Sequence, residues 1–320
     1  MTIAWVIGSG GLLGSALCRV LASSGTALFS PNEAFCWRDP AKLHSQLVSA
    51  VQSFGQQIQT EERWEIYWAA GVGTMGSTAE VMMPETEAFA VLLQAINSQS
   101  HLKAKPGRLT LASSAGAIYA GCTQEIIHDE TPAAPTTPYA HEKLKQEHLL
   151  AAWTQSNMNW TGVAARISTL YGPGNSHTKQ QGLIAHIARC ILQNKPTHIY
   201  VPIDTIRDYI IADDAAFSIV RLLQHMNTPG FFTRIIAAGE PTTIAEIISI
   251  YKRITRRNPR VITSANQLSG VYTRRIQFRT KLAGHNERPF RTSLVIGIAR
   301  VLAAERMKYI GARTFDSHQP

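Results

Sequence analysis

The chain has 320 residues, 45% of them hydrophobic and 17% charged, which is enough for one large α/β core with a smaller lobe beside it. No run of eighteen apolar residues occurs, and no charged segment precedes the short apolar stretch at the N-terminus, so a membrane span and a secretory leader are both excluded from the expectation and the chain reads as cytoplasmic. The net charge of +9 is local: from Lys252 to Arg313 fifteen Lys and Arg face two Glu, leaving the rest mildly acidic.

The first element is the apolar run Ile3 to Ile7, a buried strand by its length and its glycine boundary. It breaks into Gly8-Ser9-Gly10-Gly11-Leu12-Leu13-Gly14, and Leu12, Leu13, Ala16, Leu17, Val20 and Leu21 then follow at helical spacing. In such a strand, turn and helix the glycines permit a sharp reversal, a close approach of backbone N–H groups to a pyrophosphate, and tight helix–strand packing. The helix N-terminus adds roughly 0.3–1 kcal/mol per anionic charge. Two frames fit. Gly8 and Gly10 begin a GxGxxG whose third glycine falls on Leu13, whereas Gly8, Gly11 and Gly14 complete a GxxGxxG.

Thr26 to Phe29 reads as a second strand. A nucleotide-binding fold places an acid near the end of that strand, on the adenosine ribose. Here Ser30, Pro31 and Asn32 stand there, with Glu33 one step on and Arg38 beyond, so NADP is as well served as NAD. Ala41 to Phe54 has helical spacing. Trp64 to Gly71 is a third strand ending in Ala69, Ala70 and Gly71, small residues against which a flat cofactor can lie, and Pro84 to Asn97 is an amphipathic helix. Arg108 to Ala112 runs straight into Ser113 and Ser114, bringing two hydroxyls to the same sheet edge.

The proline-rich approach Thr131 to Pro138 leads into Tyr139-Ala140-His141-Glu142-Lys143, at the head of a helix continuing through Trp153. Tyr and Lys four apart share one helical face. A cation about 4 Å from a phenol favours the phenolate by up to ~4 kcal/mol at an effective dielectric of 20. That spacing predicts a Tyr139 hydroxyl drawn from its ordinary range toward neutrality, suited to general acid or base work in hydride transfer at a carbinol. The cysteines Cys18, Cys36, Cys122 and Cys190 are scattered, with no CxxC pair and no zinc-like histidine spacing, so free thiols and no metal are expected.

Glycine turn, serine pair and YxxxK, in that order, resemble the short-chain dehydrogenase/reductase superfamily, and within it the extended NAD-dependent epimerase/dehydratase family that acts on nucleotide sugars. The segments Val163 to Gly174 and Arg207 to Ala215 are similar to later motifs of that family, so the likeness spans about residues 2 to 240. It implies a Rossmann-like twisted parallel sheet with helices on both faces and a smaller C-terminal substrate lobe. The domain split it suggests is 1–168 with 205–238 for the NAD(P)-binding part, and 169–204 with 239–320 for the lobe.

By the same resemblance Gly8, Gly10, Gly11, Leu12, Leu13 and Gly14 hold the cofactor pyrophosphate, and Ala70 and Gly71 flank its ribose. Tyr139 is the proton donor or acceptor, Lys143 binds the nicotinamide ribose and lowers the phenol's pKa, and Ser114 holds the reacting oxygen. Ser113, Thr169 and Arg207 are implied to meet the substrate, Arg207 through its diphosphate. Three departures qualify the match. Ala115-Gly116-Ala117 stands where sugar dehydratases carry an acidic pair, which disfavours elimination and decarboxylation. Thr169 replaces a frequent asparagine, and Val271 to Leu282 replaces an Arg-Pro-Gly-Asp-like turn.

Glu240 to Ile248 reads as a helix capped by Thr242 or Thr243, opening the lobe, to which Gly174 to Lys195 adds a loop carrying His177 and Lys179. Residues Thr314 to Pro320 are expected to fray. The expected function is an oxidoreductase-type reaction on a nucleotide-activated sugar with NAD or NADP, either an epimerase or a 4-ketoreductase. A homodimer follows from the resemblance only, no membrane partner is expected, and nucleic acid is disfavoured. The alternative is a non-catalytic NAD(P)-binding protein whose basic C-terminal segment meets a polyanion, against which the intact Ser114, Tyr139 and Lys143 argue.

Overall fold

A computed structural model describes residues 2–58, 63–174, 182–264, 276–279 and 291–316, with side chains through residue 311. The chain runs β1 (Thr2–Ile7), α1 (Leu12–Ser23), β2 (Ala27–Phe29), α2 (Pro40–Gln57), β3 (Arg63–Trp68), α3 (Ala79–Ser98), α4 (Ser100–Lys103) and β4 (Gly107–Ser114). It continues through α5 (Ala115–Ile118), β5 (Ile126–Ile127), α6 (Pro138–Thr154), β6 (Trp160–Ile167), β7 (Thr169–Tyr171), α7 (Leu183–Leu192), β8 (Thr197–Ile199) and β9 (Ile206–Ile211). The last elements are α8 (Ala212–His225), β10 (Gly230–Ile236), β11 (Pro241–Thr243), α9 (Ile244–Thr255), β12 (Val261–Thr263), β13 (Gln277–Phe278) and α10 (Leu294–Asp316).

Six strands form one sheet in the order β10-β6-β4-β3-β1-β2, and every pairing in it is parallel. Along β1 the period of two is plain: Ile3, Trp5 and Ile7 enter the core on one face, and Ala4 and Val6 the core on the other. The first core is covered by α2, α3 and α6 and holds Trp5, Trp64, Trp68, Trp153 and Trp160, all buried; Trp153 stacks on Trp160 at 4.3 Å between centroids. Burying a tryptophan is worth roughly 4–6 kcal/mol of gross transfer free energy, so this cluster dominates that face. The second core is covered by α1 and α8, through Leu13, Ala16, Leu17 and Leu21 against Ala215, Ala216, Ile219 and Leu223.

Neighbouring strands β1 and β3 thus send their following helices to opposite faces, which opens a crevice at their carboxyl ends. A second sheet, β11-β9-β7, begins where β6 ends, while α7, α9 and α10 pack around Ile184, Ile187, Ile247, Tyr251, Ile298 and Val301. Of the region 205–238, β10 extends the large sheet whereas β9 lies in the second one.

Two elements differ in detail from the sequence reading. Helix α3 starts at Ala79, ahead of Pro84, which sits inside it. A turn already begun at Thr78 carries the chain through the proline despite the missing N–H. Thr243 is the cap of α9, in a reciprocal capping box with Glu246, and Thr242 is not. The four cysteines are free, as expected. Among the described residues no helix is long and apolar enough to cross a membrane and no His/Cys/Asp/Glu group suits a metal ion. The loop of His177 and Lys179, and most of Val271 to Leu282, lie outside the described residues.

Candidate active site

The glycine turn lies at the β1–β3 crevice. Gly8 has φ +88°, and a Cβ there would fall 2.6 Å from the backbone N of Ala70, on the neighbouring strand's end. A Cβ on Gly14 would fall 2.1 Å from the carbonyl oxygen of Gly8, so helix and strand meet backbone to backbone. Gly11 closes the turn, donating its N–H to the Gly8 carbonyl at 2.9 Å, and stands as the N-cap of α1. Gly10 faces open space. The frame with a steric reason is therefore Gly8, Gly11 and Gly14. No side chain caps α1 and no acid occupies its first turn, so the N–H groups of Leu12 and Leu13 are left for an outside anion. Those features fit a pyrophosphate. Ala70 and Gly71 flank the same crevice.

The loop after β2 ties Glu33 to α2. Its carboxylate accepts from Nε2 of Gln46 on α2 at 3.0 Å, and the same amide also holds Cys36 and Ala34. Arg38 is exposed.

Helix α6 starts where its sequence demands. Thr137 accepts the N–H of Ala140 at 3.2 Å as N-cap, and Pro138 fills the first turn, where its missing N–H costs nothing. That start sets Tyr139 half-buried in the first turn and Lys143, 5% exposed, one turn further. Ser114 ends β4 and caps the short α5, with its hydroxyl near enough to the Tyr139 phenol to pull that phenol's pKa down. Lys143 Nζ lies 6.0 Å from the centroid of the Tyr139 ring and donates to Gln146 at 3.1 Å. The structure thus brings Ser114, Tyr139 and Lys143 together.

The charge on that phenol runs opposite to the expectation. Burial, and then the Glu85 carboxylate, push Tyr139 up to about 12, against a smaller downward pull from Ser114. Lys143 spends its charge elsewhere: its ammonium is 3.7 Å from Glu85, and burial pulls its pKa down while Glu85 pulls it back up. The expected lowering of Tyr139 by Lys143 is therefore not what the site shows: burial raises the phenol first, and the Glu85 carboxylate, which the Tyr-Lys spacing does not reveal, adds to the rise from beside the cation.

Ser113 points away from this group. Buried to 5% exposure, it donates to Glu147 at 2.6 Å, in a network where Arg166 pairs with Glu147 at 2.6 Å and donates to Tyr119 at 2.6 Å. Its role is to brace β4 against α6, and a substrate contact from it would have to displace that bond. Thr169 opens β7 two residues beyond Ile167, the register partner of Ser114, so it sits at the same sheet edge. Arg207 lies on β9 two residues before Tyr209, the register partner of Thr169, and is half-buried, donating to its neighbour's carbonyl at 2.9 Å.

Two residues escaped the sequence reading. Glu85 lies on the inner face of α3, in register with buried Met82, Thr86 and Phe89, and a lone acid at such a position is the signal that marks it. Asp208, 2% exposed, accepts from Ser168 at 2.6 Å and from the N–H groups of Ala238, Gly239 and Glu240. It ties the second sheet to the loop leaving the first.

A doubly wound parallel sheet with a glycine turn at its switch point is a Rossmann-type, dinucleotide-binding fold. The chain belongs to the NAD dependent epimerase/dehydratase family, whose model matches residues 4–233. It is 32% identical over 124 residues to dTDP-L-rhamnose 4-epimerase of Burkholderia thailandensis, covering 38% of this chain and 33% of that protein. It is 27% identical over 194 residues to GDP-6-deoxy-D-mannose reductase of Pseudomonas aeruginosa, covering 58% of this chain and 62% of that one. The match thus spans less than two thirds of either curated relative. Among solved structures, MoeE5 in complex with UDP-glucuronic acid and NAD superposes with a TM-score of 0.76 at 19% identity, over 96% of this chain and 100% of that one, a likeness of fold.

Proposed function

We propose that this protein is an NAD(P)-dependent enzyme that transfers hydride at a carbinol carbon of a nucleotide-activated sugar, as an epimerase or a 4-ketoreductase. The observation that carries the reading is the convergence of Tyr139, Ser114 and Lys143 on the carboxyl edge of a sheet whose glycine turn leaves helix N–H groups unfilled. Support for the substrate class comes from the relatives, one an epimerase and one a reductase of nucleotide sugars. With no acidic ribose partner at the end of β2, and Glu33 held by Gln46, NADP is served as well as NAD.

In this reading Gly8, Gly10, Gly11, Leu12, Leu13 and Gly14 present backbone to the pyrophosphate, and Ala70 and Gly71 border the ribose. The cofactor supplies the site that accepts or gives hydride. Tyr139 exchanges the hydroxyl proton of the sugar at its phenol oxygen, Ser114 shares that oxygen's hydrogen bond, and Lys143 orients the ribose. Arg207 contributes a charge-assisted contact to the substrate diphosphate, and Thr169 borders it. Ser113 is left with Glu147.

The test is Tyr139→Phe assayed against a panel of nucleotide sugars with NAD and NADPH. Cofactor affinity is expected to hold while turnover falls about 10²–10⁴-fold; equal turnover in the variant overturns the reading. Cofactor retained through purification points to the epimerase, and free exchange with added NADPH to the reductase.

A further inference from the structure

On the inner face of α3 one carboxylate interrupts the apolar packing. Glu85 reaches across to the loop that leaves β3, where its Oε1 accepts the N–H of Val72 and, at 2.9 Å, that of Gly73. Its Oε2 is buried, has no hydrogen-bond donor among the described residues, and stands 3.7 Å from the Lys143 ammonium, too far for a hydrogen bond but close for an ion pair. The same loop touches the phenol: a Cβ on Gly73 would fall 3.0 Å from Cδ2 of Tyr139.

Two neutral N–H groups do not require a charged acceptor, because a side-chain amide oxygen serves them equally well. The charge has another object. A buried carboxylate is costly unless a cation answers it, and Lys143 is that cation. We propose that Glu85 is a positioning residue of this site, fixing the Val72–Gly73 loop through one oxygen and the Lys143 ammonium through the other, and offsetting the charge of Lys143 at the Tyr139 phenol. The inference rests on the reading of Tyr139 as the proton donor or acceptor.

Lys143 faces Glu85 from α3, with Glu147 and Gln146 from its own helix; Tyr139 faces Glu85 and the Ser114 hydroxyl. Glu142 is turned to Thr86 and Lys145. Glu147 is already paired with Arg166, so the carboxylate that answers Lys143 beside the phenol is that of Glu85. Burial first, and then the Glu85 carboxylate, leave a Tyr139 that holds its proton at rest, which suits it to protonate a keto sugar's oxygen as hydride arrives. Oxidation of an alcohol then waits for a higher pH.

Fluorotyrosine placed at position 139 of the full chain, followed by fluorine NMR against pH without cofactor, reads the phenol directly. In Glu85→Gln, which keeps the acceptor for Val72 and Gly73 but loses the charge, the ionisation is expected about one pH unit lower. The acid limb of kcat/KM for alcohol oxidation moves with it. Glu85→Asp keeps the charge and is expected to titrate with the unsubstituted protein even where its melting temperature falls, which a purely structural role does not predict. An unmoved titration in folded Glu85→Gln overturns the proposal, and so does an Asp variant that moves down by about one unit, a result available even if the Gln variant does not fold. Full turnover in Tyr139→Phe overturns the acid/base reading separately and leaves the titration result standing.

Discussion

Gly10 and Gly14 are both glycines of one turn, yet the protein makes opposite demands on them. A methyl on Gly14 would meet the carbonyl of Gly8 at 2.1 Å, backbone against backbone, whereas Gly10 has nothing within 4 Å. Gly14→Ala is therefore expected to cost roughly 1–3 kcal/mol in urea unfolding. Gly10→Ala should stay within about 0.5 kcal/mol. A loss of NAD(P) affinity in Gly10→Ala then reports close approach of a ligand, because the fold has no use for that glycine. Tyr139 supplies a pH-dependent prediction. Its phenol is held up to about 12 instead of the ordinary 10.0, so between those values the unfolded chain has released a proton that the folded chain keeps. With fewer protons bound by the unfolded state, stability falls as pH rises through that window; the contribution is whole below about pH 10 and gone above about pH 12. The difference in urea midpoint between the unsubstituted protein and Tyr139→Phe should shrink across it, and a flat difference contradicts the assignment.

At the scale of elements, α6 matters most, since it carries both Tyr139 and Lys143 and has to be held against the sheet by more than its apolar face. Arg166 on β6 grips Glu147 of α6, Ser113 of β4 donates to the same carboxylate, and Tyr119 after α5 receives the guanidinium's remaining hydrogen bond. The guanidinium's pKa is raised on balance by Glu147 and Tyr119 in spite of its burial, and the Tyr119 phenol is raised chiefly by burial. Arg166→Met strands a buried carboxylate and is expected to cost about 3–5 kcal/mol. Adding Glu147→Leu should recover much of that loss, because the desolvation cost leaves with the charge; urea unfolding of the single and double variants checks both. Turnover in the folded double variant separates this bracing role from chemistry, and it should remain measurable.

Across the whole molecule, the large sheet and the second sheet meet at Asp208. Four donors converge on one carboxylate there, from Ser168 at the end of β6 and from three successive N–H groups after β10. Burial raises its pKa, and those four hydrogen bonds work against the rise. Asp208→Ala leaves these donors without an acceptor in a buried junction and is expected to lose about 3 kcal/mol or more. Calorimetry should show α7, α9 and α10 loosening before the large sheet, as a transition that separates from the main one. Part of the basic excess has a definite place as well. Lys252, Arg253, Arg256, Arg257 and Arg260 are exposed around the C-terminal end of α9, where cations complement the helix dipole.

The sequence by itself determined the strand–glycine–helix opening, the alternation that buries β1 on both faces, and the start of α6 at Thr137-Pro138, because each is a local matter of spacing, backbone freedom or capping. It also carried the family, since glycine turn, serine pair and YxxxK appear in one order. Local spacing misjudged what distant chain segments decide. The Tyr139–Lys143 spacing predicts a lowered phenol, and only folding brings Glu85, from a different helix, to the cation that would lower it. Ser113 and Ser114 are adjacent in sequence and look interchangeable, but the pleat turns one to Glu147 and the other to Tyr139. Electrostatics and burial depend on separation in space, and that separation exists only once the sheet has assembled.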